Sequence, residues 1–350
     1  MAASTRSIAE LPCPLCGGRA HVLYAGHPGY QEPSTYDIAA CENCNTAFAL
    51  PLEIDTTLYQ LIYRQRARLR GYEEYVKYAK EVLRQSDPLA YLAGEQETYW
   101  AIDHYLRAVN RRPPRQMIEL GSGLGYLTYA LTRRGYDAIG LDIAPNAVAE
   151  ARAAYGEHYL CADLFQYARE NAASRDVVIM TELIEHVPDP LAFLAAAKAL
   201  LRQGGDIVLT TPNRTSSPAG MLWNTDSPPV HLWWFSEDSI RWLAQRLGMS
   251  VRFVDFSGFS RQHGPWPVPP AMGGQPTVWP AMDAQGRPLD PVEPNVPRLR
   301  AFARRCGVKY LRDRWRLYHL RYFAEPSAGA RRGSLCAILS LTTSASDLGG

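Results

Sequence analysis

No stretch of this 350-residue chain approaches the roughly 20 consecutive apolar residues that a membrane helix needs. The first residues, Met1 to Glu10, lack the apolar core of a secretory signal. Net charge is scarce as well: 37 Lys and Arg face 35 Asp and Glu, a formal +2, so there is no general pull toward nucleic acid or an anionic membrane. Cysteine is sparse outside one region. Of seven, Cys161, Cys306 and Cys336 are scattered and read as reduced thiols of a cytoplasmic protein rather than a disulfide framework. What remains is a soluble globular composition, 47% hydrophobic, with room for one large domain plus additions or for two domains.

The other four cysteines, Cys13, Cys16, Cys41 and Cys44, form two C-x-x-C pairs separated by 24 residues. Two such knuckles supply four thiolates to one tetrahedral Zn²⁺, a closed structural site. Gly17 and Asn45 follow the second Cys of each pair, where the backbone must reach the left-handed region. His21 and His27 lie between the pairs as weaker substitute ligands, and neither pair opens a helix as a redox motif would. Residues 1–52 are therefore expected to be a zinc ribbon. Between residues 10 and 50 Arg19 is the single strong base against Glu10, Glu32, Asp37 and Glu42, the wrong balance for gripping phosphates. A packing or substrate-shaping role is expected instead.

Residues 53–114 carry Leu58, Tyr59, Leu61, Ile62, then Tyr72, Tyr75, Tyr78, Val82, then Tyr99, Ile102, Tyr105 and Leu106, at helical 3–4 spacing. Asp87-Pro88 breaks the run, and Arg111-Arg112-Pro113-Pro114 ends it. Arg64, Arg66, Arg68 and Arg70 spread around a helix rather than along one face, as solvated surface does. These helices are expected to cap a ligand site and bring aromatic rings to it.

From Gln116 onward, apolar strands alternate with helices as in a doubly wound α/β domain. The first strand ends in Ile118-Glu119-Leu120 and runs into Gly121-Ser122-Gly123-Leu124-Gly125, after which a helix starts at Tyr126. Glycines at alternate positions allow a sharp turn and a close ligand, with the helix N-terminus aimed at it. The nicotinamide fingerprint lacks its last glycine here, because position 126 is Tyr. Strand two, Ala138 to Asp142, ends in an acid placed to accept hydrogen bonds from a ribose diol. A helix over Pro145–Tyr155 follows, then a short strand from Tyr159 that exits through Asp163-Leu164; Asp163 can equally cap the helix that begins there. Asp176 to Thr181 reads as a buried strand that delivers Glu182-Leu183-Ile184-Glu185-His186-Val187-Pro188-Asp189-Pro190. A helix over Leu191–Leu201 precedes a fifth strand, Gly204-Gly205 to Pro212-Asn213. His231-Leu232-Trp233-Trp234-Phe235-Ser236, a capped helix Glu237–Leu247 ending at Gly248, and a strand Ser250–Phe256 complete the run.

The G-x-G-x-G turn, Asp142, Asp163, the E-x-x-E-H run and the G-G-strand-P-N segment, in this order over residues 116–258, resemble class I S-adenosylmethionine-dependent methyltransferases. The E-H-V-P-D-P run is similar to that of ubiquinone-type, sugar and natural-product O-methyltransferases. The resemblance implies a seven-stranded Rossmann-like sheet over 115–258 plus 333–345, with Ser334 to Leu341 as its antiparallel edge strand. It implies S-adenosylmethionine contacts by Glu119 (amino-acid end), Gly121, Ser122, Gly123, Gly125, Tyr126, Asp142, Ile143, Asp163 (adenine amino group), Leu164 (backbone N–H) and Thr181. A departure is the insertion over 259–332. It opens with ten prolines between Gly264 and Pro297 and turns into a basic aromatic stretch, Arg298 to Arg321, suited to solvent or to a phosphate-bearing substrate.

Methyl transfer to a hydroxyl needs alignment and a base near neutrality, which points to His186 and His231, with Glu182 beside them. Glu182, Glu185, His186 and His231 also look like the divalent-metal site of small-RNA 2′-O-methyltransferases, a candidate place for Mg²⁺ or Mn²⁺. The expected activity is O-methylation of a sugar or other small or carrier-bound hydroxyl. An RNA methyltransferase, disfavoured by the acidic ribbon, and a non-catalytic S-adenosylmethionine-binding subunit are the alternatives.

Overall fold

The structure is a computed structural model and describes residues 10–69, 71–108, 115–216, 227–264, 280–289 and 332–341. Most of the Pro-rich stretch, the basic stretch over 298–321 and the Arg111–Pro114 lead-in lie outside the described residues, and so does any test of the phosphate-binding reading.

The N-terminal strands β1 (Glu10–Pro12), β2 (Arg19–Pro28), β3 (Thr35–Cys41) and β4 (Ala47–Leu50) form an antiparallel sheet. Four α-helices follow: α1 (Thr56–Gln65), α2 (Glu73–Glu81), α3 (Pro88–Glu95) and α4 (Glu97–Ala108). Asp87-Pro88 is a start as well as a break: the Asp87 carboxylate caps α3 through the Ala90 N–H, and Pro88 occupies its first turn.

The α/β part then runs β5 (Gln116–Leu120), α5 (Tyr126–Arg133), β6 (Asp137–Asp142), α6 (Pro145–Tyr155), β7 (Tyr159–Cys161), α7 (Leu164–Glu170), β8 (Arg175–Thr181), α8 (Pro190–Ala199), β9 (Leu201–Pro212), β10 (Trp233–Trp234), α9 (Glu237–Arg246), β11 (Met249–Phe253), α10 (Ser257–His263) and β12 (Ser334–Leu341). Seven strands make one sheet in the order β11-β12-β9-β8-β5-β6-β7, with β12 antiparallel to both neighbours and the other pairings parallel. This is the expected seven-stranded, Rossmann-like doubly wound sheet, with helices on both faces. In β8, Val178 and Met180 point into one core and Val177 and Ile179 into the other, so both faces are covered and the strand reads as a continuous apolar run. Strand order reverses at β5, which opens a crevice at the carboxyl ends of β5, β6 and β8.

Several boundaries differ from the sequence reading. The helix expected to reach Leu201 stops at Ala199, and Leu201 already begins β9. The strand expected to run to Phe256 ends at Phe253. The limit drawn between 258 and 259 cuts through α10, which is core: Phe259 packs on Trp100 of α4, and the bare Gly258 lets that indole approach. The ribbon is not a separate body either. Its sheet gains a fifth strand, β10, paired with β4 through Trp233↔Phe48 and Trp234↔Ala47. Its buried Leu15, Ala39 and Phe48 belong to the same apolar cluster as Val178 and Met180. No described helix is long and apolar enough to cross a membrane.

Candidate active site

The glycine turn is built as the sequence requires. Gly121, Gly123 and Gly125 all have positive φ, at +68°, +49° and +80°. The Gly121 and Ser122 N–H groups donate to the Leu141 carbonyl, and Gly125 is the left-handed N-cap of α5. A Cβ on Gly125 would lie 2.6 Å from the Tyr159 ring and 2.7 Å from Ala151, so this close helix–strand packing admits no side chain. A Cβ on Gly123 would meet nothing nearer than the Gly121 carbonyl at 4.0 Å, so this part of the turn faces open room.

Asp142 closes the turn from below. Its Oδ2 accepts from the Gly123 N–H at 2.7 Å and its Oδ1 from the Ala144 N–H at 2.8 Å. Burial pushes its pKa up, against these backbone donors. The next residue, Ile143, is 72% exposed, an apolar surface beside a buried acid. Glu119 is buried at the end of β5 and accepts from the Thr128 hydroxyl at 2.5 Å; desolvation raises its pKa to about 8. Asp163 takes up the capping role: its Oδ1 accepts from the Gln166 N–H and it is the N-cap of α7, with Leu164 the first helical residue. Tyr126 turns inward, its hydroxyl paired with that of Tyr99. The Ser122 hydroxyl is buried with no hydrogen-bond partner among the described residues. Open space over Gly123, a buried acid at the end of β6 and an unspent hydroxyl suit a ligand with a diol and a polar chain. The residues present fit S-adenosylmethionine.

Beyond β8 the chain turns abruptly. Thr181 ends the strand half-buried, and Glu182 adopts φ +48°, a left-handed conformation uncommon for a side-chain-bearing residue. Its N–H donates to the Thr210 carbonyl, and its Oε1 accepts from the Thr98 hydroxyl of α4 at 3.3 Å. A single 3₁₀ turn, Ile184–His186, then presents Glu185 and His186. Glu185 is 0% exposed; its Oε2 accepts from the Thr211 hydroxyl, and its Oε1 lies 3.9 Å from His186 Nε2. The His231 ring stands edge-on to His186 with centroids 4.6 Å apart. Ligand atoms of Glu185, His186 and His231 lie within 4.8 Å of one another. Glu182 lies outside that group. Of the four residues proposed from the sequence as a divalent-metal site, the structure gathers Glu185, His186 and His231, while Glu182 turns toward Thr98.

Burial lowers the pKa of His186, and lowers that of His231 well below the ordinary imidazole value with the neighbouring His186 adding to it. Both rings are accordingly neutral near pH 7. His186 Nδ1 lies 2.6 Å from the Val230 carbonyl, which fixes the proton on Nδ1 and leaves the Nε2 lone pair toward Glu185 and His231. Tyr59 of α1 joins this contact, its hydroxyl donating to the Val230 carbonyl at 3.0 Å and lying 3.1 Å from Nδ1. Tyr63, Tyr72 and Tyr75 line the same space. Each is half-buried, yet desolvation raises its hydroxyl, that of Tyr72 to about 12 with the Glu185 charge adding to the effect. Helix α1 thus brings one of its tyrosines to His186, and Arg66, just past its end, pairs with Glu150 of α6. Tyr59, Thr98, Thr211 and the Val230 carbonyl carry no sequence signal that separates them from other core or surface residues.

Cys13, Cys16, Cys41 and Cys44 come together, with Sγ separations of 3.8 Å (Cys13–Cys44) and 3.5 Å (Cys16–Cys41). Tetrahedral Zn–S bonds of about 2.3 Å put sulfurs about 3.8 Å apart. The Gly18, Asn43 and Cys44 N–H groups point at the Cys16 and Cys41 sulfurs, as thiolates require. The donor set fits zinc, and His21 and His27 are not part of it. Elsewhere, a hollow of about 220 Å³ opens between the ribbon and α1, lined by Gln31, Glu32, Tyr36, Asp55, Leu58 and Pro229; none of the residues expected to act in the site lines it.

Residues 92–252 match the family model of a methyltransferase domain. Among curated proteins, the chain is 35% identical over 116 residues to a ubiquinone biosynthesis O-methyltransferase of Xanthomonas campestris, covering 32% of this chain and 48% of that one. It is 32% identical over 131 residues to the protein of the same name from Methylococcus capsulatus, covering 35% and 55%. The chain spans about half the length of the curated relatives it matches. Among solved structures, an S-adenosylmethionine-dependent methyltransferase of Archaeoglobus fulgidus aligns with TM-score 0.40 at 15% identity, over 68% of this chain and 92% of that one.

Proposed function

We propose that this chain, whose residues 92–252 match a methyltransferase domain, is an S-adenosylmethionine-dependent O-methyltransferase acting on a hydroxyl of a small or carrier-bound acceptor, a sugar or another natural product. The observation that carries the proposal is the Glu185–His186–His231 group, gathered after β8 at the sheet edge that holds the glycine turn, with Tyr59 of α1 beside it. The curated relatives' names contribute the reaction type, O-methylation of a small substrate. The sugar is our own reading.

When bound, S-adenosylmethionine would supply an electrophilic methyl group, which an aligned hydroxyl oxygen takes in line as the C–S bond breaks and S-adenosylhomocysteine leaves. Asp142 would receive its ribose hydroxyls, Glu119 and the Ser122 hydroxyl its amino-acid end, and Ile143 with the Leu164 N–H its adenine. The neutral His186 and His231 can accept the acceptor's proton at a ring nitrogen, and their burial keeps them unprotonated and available. The roof of Tyr59, Tyr63, Tyr72 and Tyr75 excludes water and narrows the acceptor's approach.

Two imidazoles and a carboxylate are also a cation's donor set; that mixture favours Mn²⁺ over Mg²⁺, which prefers all-oxygen sites. Such an ion would lower the pKa of a coordinated hydroxyl. The ribbon cysteines would hold a structural Zn²⁺.

Transfer of labelled methyl to a panel of sugars, nucleotide sugars, phenols and RNAs, with and without chelator, tests the proposal. Label in hydroxyl acceptors, restored by Mn²⁺ after chelation, is expected; label in RNA alone would overturn it. Asp142→Ala is expected to weaken S-adenosylhomocysteine binding about 10- to 100-fold by calorimetry, as loss of a charged hydrogen-bonding group does.

A further inference from the structure

The segment that carries His231 is held from two sides. On one, the Leu232 N–H donates to the Glu185 carbonyl at 2.9 Å and the Trp233 indole N–H to the Val187 carbonyl at 2.9 Å. On the other, the ribbon supplies the Tyr30 N–H to the Pro228 carbonyl at 2.7 Å, the Ala49 N–H to the Leu232 carbonyl at 2.9 Å, the β4–β10 pairing, and the Thr46 hydroxyl to the Trp234 carbonyl at 3.2 Å. Thr46 also binds the Cys41 N–H through its carbonyl, so it ties the cysteine knuckle to β10.

One side chain crosses the same seam. Arg214, just past the exit of β9, directs its Nη1 to both the backbone carbonyl (2.9 Å) and the Oδ1 (2.5 Å) of Asn45, the left-handed residue that follows Cys44. Its own N–H donates to the Phe235 carbonyl, one residue beyond β10. The guanidinium is half-buried; burial disfavours its charge, and the Cys44 and Cys41 sulfurs act in its favour. Four thiolates around one Zn²⁺ leave a net charge of about −2, and a partly buried anion of that size needs a nearby cation.

We propose that Arg214 is the counter-charge of the Cys13–Cys16–Cys41–Cys44 metal centre, and that the metal-loaded ribbon, through Arg214 and β10, is the element that positions His231 against Glu185 and His186. The inference rests on the zinc reading of the ribbon and gives it a purpose. The ribbon is one wall of the catalytic group rather than a module for gripping a distant partner. Arg214 acts through Asn45 and β10 and is a positioning residue.

The test begins with the zinc content of the purified full-length chain. A chain that carries no zinc ends the zinc reading and this inference together. Where about one zinc is present, amide hydrogen exchange is followed before and after its removal by chelator. Residues 232–235 are expected to exchange at least about tenfold faster without zinc, while 117–120 and S-adenosylhomocysteine affinity stay unchanged. Unchanged exchange over 232–235, or an equal rise over both stretches, overturns the coupling and leaves the zinc reading standing. Arg214→Gln keeps hydrogen-bond donors without the charge and Arg214→Lys keeps the charge. Arg214→Gln is expected to lose zinc affinity by about 10- to 100-fold, as partners of metal ligands do when removed, and Arg214→Lys to recover most of it. Wild-type zinc retention in Arg214→Gln, or equal loss in both variants, would show that the charge has no part.

Discussion

Glu119 is the residue whose protonation matters most. Desolvation raises its pKa to about 8, partly offset by the Thr128 hydroxyl and N–H. A folded pKa above the unfolded value means that, between the usual glutamate range and about 8, the native state holds a proton the unfolded chain lacks. Stability must therefore fall as pH rises through that window, by several kcal/mol in the limit, since each pKa unit is worth about 1.4 kcal/mol. Glu119→Gln should flatten this slope in denaturant unfolding followed from pH 5 to 8.5; an unchanged slope would assign the effect elsewhere. If the cofactor's ammonium lies beside Glu119, binding favours the ionised form, and calorimetry at pH 7 in buffers of different ionisation enthalpy should register proton release. Tyr59 makes a prediction of a different kind. Its hydroxyl shares the Val230 carbonyl with His186 Nδ1, so Tyr59→Phe should leave cofactor affinity intact and lower kcat by about tenfold, the scale on which partners of reactive groups act. A kcat equal to wild type would show that Val230 alone orients the ring.

Elements were legible where one element's own pattern decides its state. β5, β6, β8 and β9 are buried on both faces and appear as short apolar runs between polar residues, and α5 follows its glycine turn as the sequence requires. Gly125 measures how tightly that turn is specified. Gly125→Ala would combine a φ of +80° with overlaps on Tyr159 and Ala151, and a loss of about 3 kcal/mol or more in equilibrium unfolding is expected. A change below about 1 kcal/mol would mean that the helix can retreat from β7. β10 was not legible: two tryptophans become a strand because β4, nearly two hundred residues earlier, offers its edge. Glu182 enters the candidate metal set through a resemblance of the E-x-x-E-H run, and its left-handed backbone, which no sequence pattern encodes, turns it toward Thr98 and away from Glu185, His186 and His231. Asp163 satisfied both of its readings in the sequence, and in the structure one oxygen serves the cap. Likewise, Tyr59 reaches His186 because α1 folds over the sheet edge, which no helical periodicity encodes.

At the scale of the whole molecule, the long excursion between α10 and β12 has its two ends fastened together. Arg332, 6% exposed, pairs with Glu97 of α4, donates to the Gly264 carbonyl at 2.7 Å and to the Ser260 hydroxyl at 3.1 Å, and lies over the Phe259 ring. Glu97 Oε1 accepts from the Ser334 N–H at the first residue of β12. One buried ion pair thus joins the cap helices, the end of α10 and the start of the edge strand, so the excursion is anchored independently of its own composition. Glu97→Ala would take a carboxylate partner from the buried Arg332, a loss expected to cost about 3 to 5 kcal/mol, whereas replacing both residues with apolar ones removes the buried charge as well. The double variant Glu97→Leu, Arg332→Met should therefore be more stable than Glu97→Ala alone, and the coupling from a double-mutant cycle should exceed about 1 kcal/mol. Because the ribbon and the sheet share one apolar cluster, heat should unfold wild type and variants in a single transition. A Glu97→Ala protein that loses β12 protection in hydrogen exchange while the ribbon keeps its own would separate the two halves and show that the clamp, rather than the shared core, makes them cooperative.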